Sequence, residues 1–345
     1  MVCSGLEATL SLNLFFVSHY ILRRLFLIFP TLLGISLVTF LVVQLAPGDP
    51  TSLKSLALGD ARNPISQEII EQTRKLYGLD QPIHIRYWIW LKQIVTLNFG
   101  ESFVDHRPVT EKILERLPIS LQLSVISIFL AYVIAVPLGV LSAVNQNSVG
   151  DRILTMILFI LYSLPSFWVA LLLILFLGGG DFLNWFPVYG LSSADADAMS
   201  WGGWILDRLW HLILPIACLT YGSLAGLSRY TRVGMLEVIR QDYIRTARAK
   251  GLEEKHIIFR HAFRNALIPI LTLLAFQLPA ILGGSVIVES IFSIPGMGKL
   301  SFDAILSRDY PVIMGIFTIS SFLTLIGFLI SDILYVIVDP RIRYT

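Results

Sequence analysis

Six long apolar segments constrain the fold of this chain more strongly than any other feature of its sequence. They lie at residues 25–46, 119–144, 153–177, 212–228, 267–288 and 311–338. An α-helix rises about 1.5 Å per residue, so about 20 apolar residues cross the roughly 30 Å of a bilayer's hydrocarbon core. Charged residues make up 14% of the chain, against about 25% in soluble domains. The sequence therefore predicts an all-α integral membrane protein with six transmembrane helices.

The distribution of cations predicts how these segments cross the membrane. Two arginines precede the first span, and short loops rich in Lys and Arg remain in the cytoplasm. We therefore expect residues 1–24 inside, residues 47–118 outside as a large extracytoplasmic loop, and residues 339–345 back in the cytoplasm. Spans two to six then form a membrane core over residues 119–338.

The first span, residues 25–46, is expected to remain in the mature protein. It is too long for the apolar part of a cleaved signal peptide, and no small-residue cleavage site follows it. Residues 1–19 leave two interpretations open. In the first, they are an extension or the result of a misplaced start codon, and in the second they form a helix that lies on the inner membrane surface.

A basic segment from Arg229 to Arg264 separates the fourth and fifth spans. It carries nine Lys and Arg residues against four Asp and Glu, a net charge of +5, while the whole chain is only +2. This charge predicts a cytoplasmic loop over residues 229–266. Tyr243–Lys250 is a run of helix formers that ends in cations, and Gly251 follows it, which is typical of a helix C-terminus. A second amphipathic helix is expected to begin near Glu253.

Three functions compete for this basic loop. A DNA-binding helix-turn-helix is disfavoured because the membrane tethers both of its ends. The loop is otherwise either a solvated topology signal or a docking element for a cytoplasmic protein. A docking helix would offer three small side chains to a groove and three cations to acids at its rim. These are Thr246, Ala247, Ala249, Arg245, Arg248 and Lys250.

The spans themselves carry almost no ionisable residues. The first five have none in their interior, and Asp332 is the exception in the sixth. Ion-coupled carriers and intramembrane hydrolases need such groups, so energy for uphill transport should come from another subunit, and no enzyme activity or metal site is expected. Residues that break or soften a helix would either serve close packing or line a pathway. These candidates are Pro137, Pro165, Gln277, Pro279, Gly283 and Gly284.

Nine short motifs, in order along the chain, give it a family resemblance. They are Tyr20-Ile-Leu-Arg-Arg-Leu, Gln44-Leu-Ala-Pro-Gly-Asp-Pro50, Tyr77-Gly-Leu-Asp-Gln-Pro-Ile83, Asn98-Phe-Gly-Glu-Ser102, Arg245-Thr-Ala-Arg-Ala-Lys-Gly251, Arg264-Asn-Ala-Leu-Ile-Pro269, Glu289-Ser-Ile-Phe-Ser-Ile-Pro-Gly-Met-Gly298, Arg308-Asp-Tyr-Pro311 and Asp339-Pro-Arg-Ile-Arg343. From about His19 onward, the chain resembles the permease subunits of bacterial ABC importers, in the oligopeptide, dipeptide and nickel branch.

This resemblance implies the type I ABC importer permease fold in the bacterial inner membrane, with both termini in the cytoplasm. It identifies Arg245–Leu252 with the coupling helix of the so-called EAA loop, which sits in a cleft of the ATP-hydrolysing subunit. Arg-Thr-Ala replaces Glu-Ala-Ala here, and Pro269 follows Gly251 by 18 residues, a longer form that looks typical of the peptide branch.

The resemblance also implies the partners. These are two ABC ATPase subunits, a second homologous permease that makes a heterodimer, an extracytoplasmic substrate-binding protein and membrane lipid, but no nucleic acid. The chain has no phosphate-binding loop of the Gly-x-x-x-x-Gly-Lys-Ser/Thr type. It is therefore expected to bind no cofactor, with ATP and magnesium held by the ATPase subunits.

The large outer loop carries a helical stripe of Ile83, Tyr87, Trp90 and Ile94. Tyr87 and Trp90 are candidates for contact with the binding protein, and the alternative is that they pack a small subdomain over the pathway mouth. For the whole chain, the main hypothesis is a permease for di- or oligopeptides or a related solute. The rivals are an ATP-independent channel or secondary carrier, and a membrane scaffold that recruits a cytoplasmic partner.

Overall fold

The computed structural model describes residues 2–45, 80–178, 182–277, 281 and 283–338, and these are mostly helical. The helices are α1 (Val2–Leu45), α2 (Ile83–Val95), α3 (Val109–Val144), α4 (Val149–Ser163), α5 (Ser166–Leu173), α6 (Trp201–Ile239), α7 (Asp242–Ala249), α8 (Glu254–His256), α9 (Phe263–Gln277), α10 (Val286–Ile291), α11 (Met297–Ser307) and α12 (Tyr310–Val338). A π-helical turn, Ile174–Gly178, follows α5, and a second, Ile257–Ala262, joins α8 to α9.

The chain divides into two compact units. The first comprises Met1–Leu117, Leu300–Leu329 and Ile342–Thr345, and the second comprises Pro118–Lys299 and Ile330–Arg341. In the first unit, Phe40 of α1 packs against Tyr87 and Trp90 of α2, with ring centroids 5.3 and 5.8 Å away. Among the described residues of the second unit, three buried apolar clusters form the core.

Four helices in the described residues are long and apolar enough to cross a membrane. They are Leu22–Leu45 within α1, α3, α6 and Tyr310–Ile333 within α12, and the bent pair of α4 with Ser166–Gly178 makes a fifth if it is one span. In the predicted fifth span, α9 ends at Gln277 and α10 begins at Val286, while residues 278–280 and 282 lie outside the described part. The count of six spans stays a prediction. Residues 46–79, Pro279 and residues 339–345 also lie outside the described part, so the predictions made for them stay predictions.

Proline divides the third predicted span. Pro165 disfavours helical backbone at the residue before it, and Leu164 is extended, so α4 ends at Ser163 and α5 starts at Ser166 after a bend of 98°. The break leaves a carbonyl oxygen without a helical partner, and the Tyr221 hydroxyl donates to the Leu164 oxygen at 3.0 Å. The proline therefore determines the bend, and a side chain of α6 completes the hydrogen bonding of its backbone.

Helices α3 and α6 approach each other closely at Gly139. A Cβ atom at this position would lie 2.5 Å from the Ser228 carbonyl oxygen and 2.6 Å from Thr231 Cβ. The obstacle is backbone and a β-branched side chain, which cannot move aside cheaply. Glycine at 139 therefore sets the distance between these two helices.

We expect Gly139→Ala to lower the free energy of unfolding by about 1–3 kcal/mol, because the added methyl group overpacks the contact. Thermal unfolding of the purified protein in mild detergent measures this as a fall in Tm. Gly222→Ala on α6 is the matched control, since no atom lies within 4 Å of its added Cβ. Equal Tm values for the two variants would contradict the close-contact interpretation.

Candidate docking site

Helix α7 is a short helix with matched charges at both ends. Asp242 lies in its first turn and Arg248 in its last, which suits the positive and negative ends of the helix dipole. Gly251 has φ +77°, its N–H donates to the Arg248 oxygen at 2.9 Å, and the Leu252 N–H donates to the Ala247 oxygen at 3.4 Å. This is the Schellman pattern of helix termination, so the helix stop predicted at Gly251 is confirmed.

Two faces of α7 have different roles. Ile244 is 0% exposed and Ala247 is 8% exposed, and both belong to an apolar cluster, which we call the α7 core. Its other buried members are Val140, Ala143, Met235, Ile257, Ile258, Ala262 and Ala266. The outer face exposes Thr246 and Ala249. Of the three small side chains expected to enter a partner's groove, Ala247 therefore lies against the chain's own core.

The cations of α7 are also not equivalent. The Arg248 guanidinium donates to both carboxylate oxygens of Glu254, at 2.6 and 3.1 Å, across the turn made by Gly251. Arg245 lies 3.6 Å from Asp242, but their side chains are 75% and 96% exposed, so this ion pair contributes little. Arg245, Arg248 and Lys250 are all exposed, and Arg248, with 43% of its side chain exposed, also braces the turn.

The Arg248–Glu254 brace shifts the titration of both groups. The hydrogen bond from Arg248 lowers the pKa of the Glu254 carboxyl, and the bond to Glu254 raises the pKa of the Arg248 guanidinium. A carboxyl with a lowered pKa keeps its charge until the pH falls below its ordinary range. The brace is therefore intact at neutral pH and is lost in acid.

The segment after the turn is one continuous helical stretch with a wide turn inside it. The sequence correctly predicts its start near Glu253, because α8 begins at Glu254. The π turn Ile257–Ala262 brings Ile257, Ile258 and Ala262 to the α7 core. Wide turns of this kind are rare and are frequently found at functional sites.

The residues proposed to line a pathway are spread over several elements. Pro137 lies inside α3, Pro165 caps α5, Gln277 ends α9, and Gly283 and Gly284 precede α10. A Cβ at Gly284, which has φ +66°, would lie 2.5 Å from the Glu289 carboxylate. The structure therefore gives Gly284 a role in packing, and a pathway role for this set stays a prediction.

Glu289, which is named above only within a motif, is a buried acidic residue. It is 1% exposed, and its oxygens accept hydrogen bonds from the Ser120 hydroxyl at 2.8 Å, the Ser285 N–H at 3.1 Å and the Lys299 N–H at 2.9 Å. It thus caps the beginnings of both α10 and α11. A Cβ at Gly296 would lie 2.4 Å from this carboxyl group, which explains one glycine of the motif.

Two further motifs meet in the first unit. Asp309 is buried and accepts hydrogen bonds from the Ser102 hydroxyl and, at 3.0 Å, from the Phe103 N–H.

Asp105 forms an ion pair nearby in the sequence, where Lys112 donates to its carboxylate at 2.9 Å. Burial raises the pKa of Asp105, but hydrogen bonds from Lys112, Ser102 and the Arg107 N–H outweigh it, and the pKa is about 2.

Tyr87 and Trp90, the candidates for contact with a binding protein, take part in packing. Trp90 is 4% exposed, and the Tyr87 hydroxyl lies 3.0 Å from the Ser36 hydroxyl. The neighbouring Trp88 is 69% exposed. The structure thus supports the packed-subdomain alternative for the two rings, and their contact with another protein stays a prediction.

Within the described residues, no cluster of His, Cys, Asp and Glu could hold a metal ion.

Comparison with known proteins gives consistent matches along almost the whole chain. Residues 135–344 match the family described as "Binding-protein-dependent transport system inner membrane component", and residues 17–124 match its N-terminal family. The chain is 45% identical to the oligopeptide transport system permease protein AppB of Bacillus subtilis, over 95% of this chain and 100% of that protein. It is 37% identical to the dipeptide transport system permease protein DppB of Alkalihalophilus pseudofirmus, over 94% and 99% of the two chains.

A likeness in fold accompanies these sequence matches. A chain of the inward-facing MetNI methionine ABC transporter superposes with a TM-score of 0.53 at 18% identity, covering 67% of this chain and 97% of that one. At this identity the likeness concerns the fold alone.

We expect Gly251→Val to loosen the end of α7, because a β-branched residue at positive φ is strained by about 1–2 kcal/mol. Hydrogen exchange of the α7 amides should accelerate in this variant. Gly251→Asn is the matched control, since asparagine tolerates the left-handed conformation and no atom lies within 4 Å of an added Cβ. Equal exchange in the two variants would show that the turn does not depend on glycine.

Proposed function

Because this chain belongs to the family of binding-protein-dependent transport system inner membrane components, we propose that it forms half of the translocation pathway of an ATP-driven importer of di- or oligopeptides or a related solute. The peptide assignment is supported by the names of AppB and DppB, which match this chain over nearly its full length. The membrane assignment is supported by the four or five apolar helices of the described residues.

The observation that carries the proposal is the form of α7. An eight-residue helix is held by Ile244 and Ala247 on its inner side and ends in a braced turn, while Thr246, Ala249 and Arg245 point outward. Such a helix is rigidly mounted and has a small, cationic outer face. These properties suit insertion into a cleft of a partner with acidic residues at its rim.

In this proposal, α7 binds one of two ABC ATPase subunits, and a second homologous permease supplies the other half of the pathway. An extracytoplasmic binding protein delivers the solute. ATP and magnesium bind to the ATPase subunits, whose closure moves α7 and converts the pathway from one access state to the other. Both termini and α7 then lie in the cytoplasm of a bacterial cell, with the chain in the inner membrane.

Affinity purification of the tagged chain from mild-detergent membranes tests this proposal. We expect ATPase subunits and a second permease to co-purify, as identified by mass spectrometry. Ala249→Glu should remove at least about 90% of the ATPase, because a bulky acid on the docking face opposes an acidic rim and costs more than about 1.4 kcal/mol.

Ala198→Glu is the matched control for this experiment. It makes the same substitution at an exposed alanine in the segment before α6. The fourth predicted span, residues 212–228, separates this segment from the cytoplasmic loop over residues 229–266. Ala198→Glu should retain the ATPase. A wild-type chain that purifies alone with its fold intact would reject the importer proposal and favour an independent channel or carrier.

A further inference from the structure

Asp151 is a buried carboxylate that joins three helices of the second unit. It lies in the first turn of α4 and is 5% exposed. Its oxygens accept hydrogen bonds from the Ser142 hydroxyl in the last turn of α3, from the Asn147 N–H at 2.9 Å, and from Nη2 of Arg232 in α6 at 2.8 Å. One carboxylate therefore joins the end of α3, the start of α4 and the C-terminal part of α6.

The same residue also closes the N-terminus of α4. Ser148 is the N-cap of α4, and the Asp151 N–H donates to its hydroxyl at 3.1 Å. In return, the Asp151 carboxylate accepts from the N–H of Asn147, the residue before the cap. This reciprocal arrangement resembles a capping box. The Ser142 hydroxyl, the Asn147 N–H and the Arg232 guanidinium all direct donors at this side chain, which suits an ionised carboxylate.

Arg232 contacts this carboxylate through one edge only. Nη2 makes the contact, and the buried Nε atom has no hydrogen-bond acceptor among the residues that the structure describes. The pair is thus a single charged contact and not the two-point grip that arginine often makes with a carboxylate. A lysine could replace the arginine at this contact, whereas a neutral side chain could not.

The network reaches α7 through close packing. Val140 and Ala143, which flank Ser142 in α3, belong to the α7 core together with Ile244 and Ala247. Met235, which lies about one turn beyond Arg232 in α6, is a member of the same cluster. Packed interiors have low compressibility and transmit strain. A displacement of α7 therefore acts on the two helix segments that hold Asp151.

We propose that Asp151 and Arg232 are positioning residues that transmit the movement of α7 to α4 when the partner ATPase closes. The inference rests on the proposed docking of α7. The charged contact makes α4 follow α3 and α6 as one body, since separating the pair leaves a buried charge uncompensated. Without the contact, α7 still docks, but α4 no longer responds.

Hydrogen exchange of the complete transporter, purified through a tag on this chain, tests the proposal. Exchange of backbone amides in α7 and in the first two turns of α4 is compared without nucleotide and after trapping with ATP and vanadate. In the wild type, we expect the rates in both segments to change by about fivefold or more, the lower end of common coupling between sites. In Arg232→Gln, the α7 change should persist and the α4 change should disappear.

Two variants make the comparison specific. Arg232→Lys keeps the charge and should restore the α4 response. Arg229→Gln removes a cation one turn earlier on the same helix, where the guanidinium lies 5.9 Å from the ring centroid of Phe159 in α4. It removes a different contact between α6 and α4, leaves the charged contact at Asp151 in place, and should behave like the wild type. If Arg232→Gln does not assemble, Ser142→Ala removes one donor to Asp151 and should weaken the α4 response with α7 docking unchanged.

The outcomes separate this inference from the function on which it rests. An α7 response without an α4 response in the wild type, or an undiminished α4 response in Arg232→Gln, overturns the transmission role and leaves docking intact. Loss of both responses in Arg232→Gln, with ATPase subunits no longer retained, shows that the pair only shapes the docking surface. The absence of any α7 response in the wild-type complex overturns docking and the inference together.

Discussion

The requirement that every backbone N–H and C=O find a partner away from water governs this structure. In an apolar environment, an unsatisfied backbone group costs several kcal/mol, and a long helix avoids this cost because its N–H and C=O groups bond to one another. Where the helices break, side chains from elsewhere in the same unit complete the hydrogen bonding. The Tyr221 hydroxyl serves the bend at Leu164, and the Glu289 carboxylate serves the amides at the starts of α10 and α11. At both of these breaks, a polar side chain therefore completes the hydrogen bonding of the backbone.

Carboxylates fill this role at three places, and each joins segments that are distant in sequence. Glu289 binds Ser120, Asp309 binds Ser102, and Asp151 binds Arg232. The glycines near Glu289 are explained in the same way, because a side chain at Gly284 or Gly296 would occupy the position of its carboxyl group. Glu289 and Asp309 each belong to a motif that gives the chain its family resemblance. The contacts of a buried carboxylate therefore account for part of both motifs.

Features that depend on neighbouring residues could be predicted from the sequence, and features that depend on distant ones could not. Local pattern predicts four of the apolar spans, the helix stop at Gly251 and the helix over Ile83–Val95. It does not predict the inward position of Ala247, because alanine is compatible with either face of a short helix. The Asp151–Arg232 contact joins residues 81 positions apart, and the wide turn at Ile257–Ala262 has no distinctive composition.

The way α7 is mounted has a consequence for the energetics of any association at its outer face. An isolated helix of eight residues is marginal in water, but here packing of Ile244 and the turn at Gly251 form it in advance. A partner therefore does not meet the ordering cost of about 1–2 kcal/mol per residue. A synthetic peptide copying residues 242–252 would have to meet that cost in full and would compete poorly with the intact protein, even though it carries every side chain of the outer face.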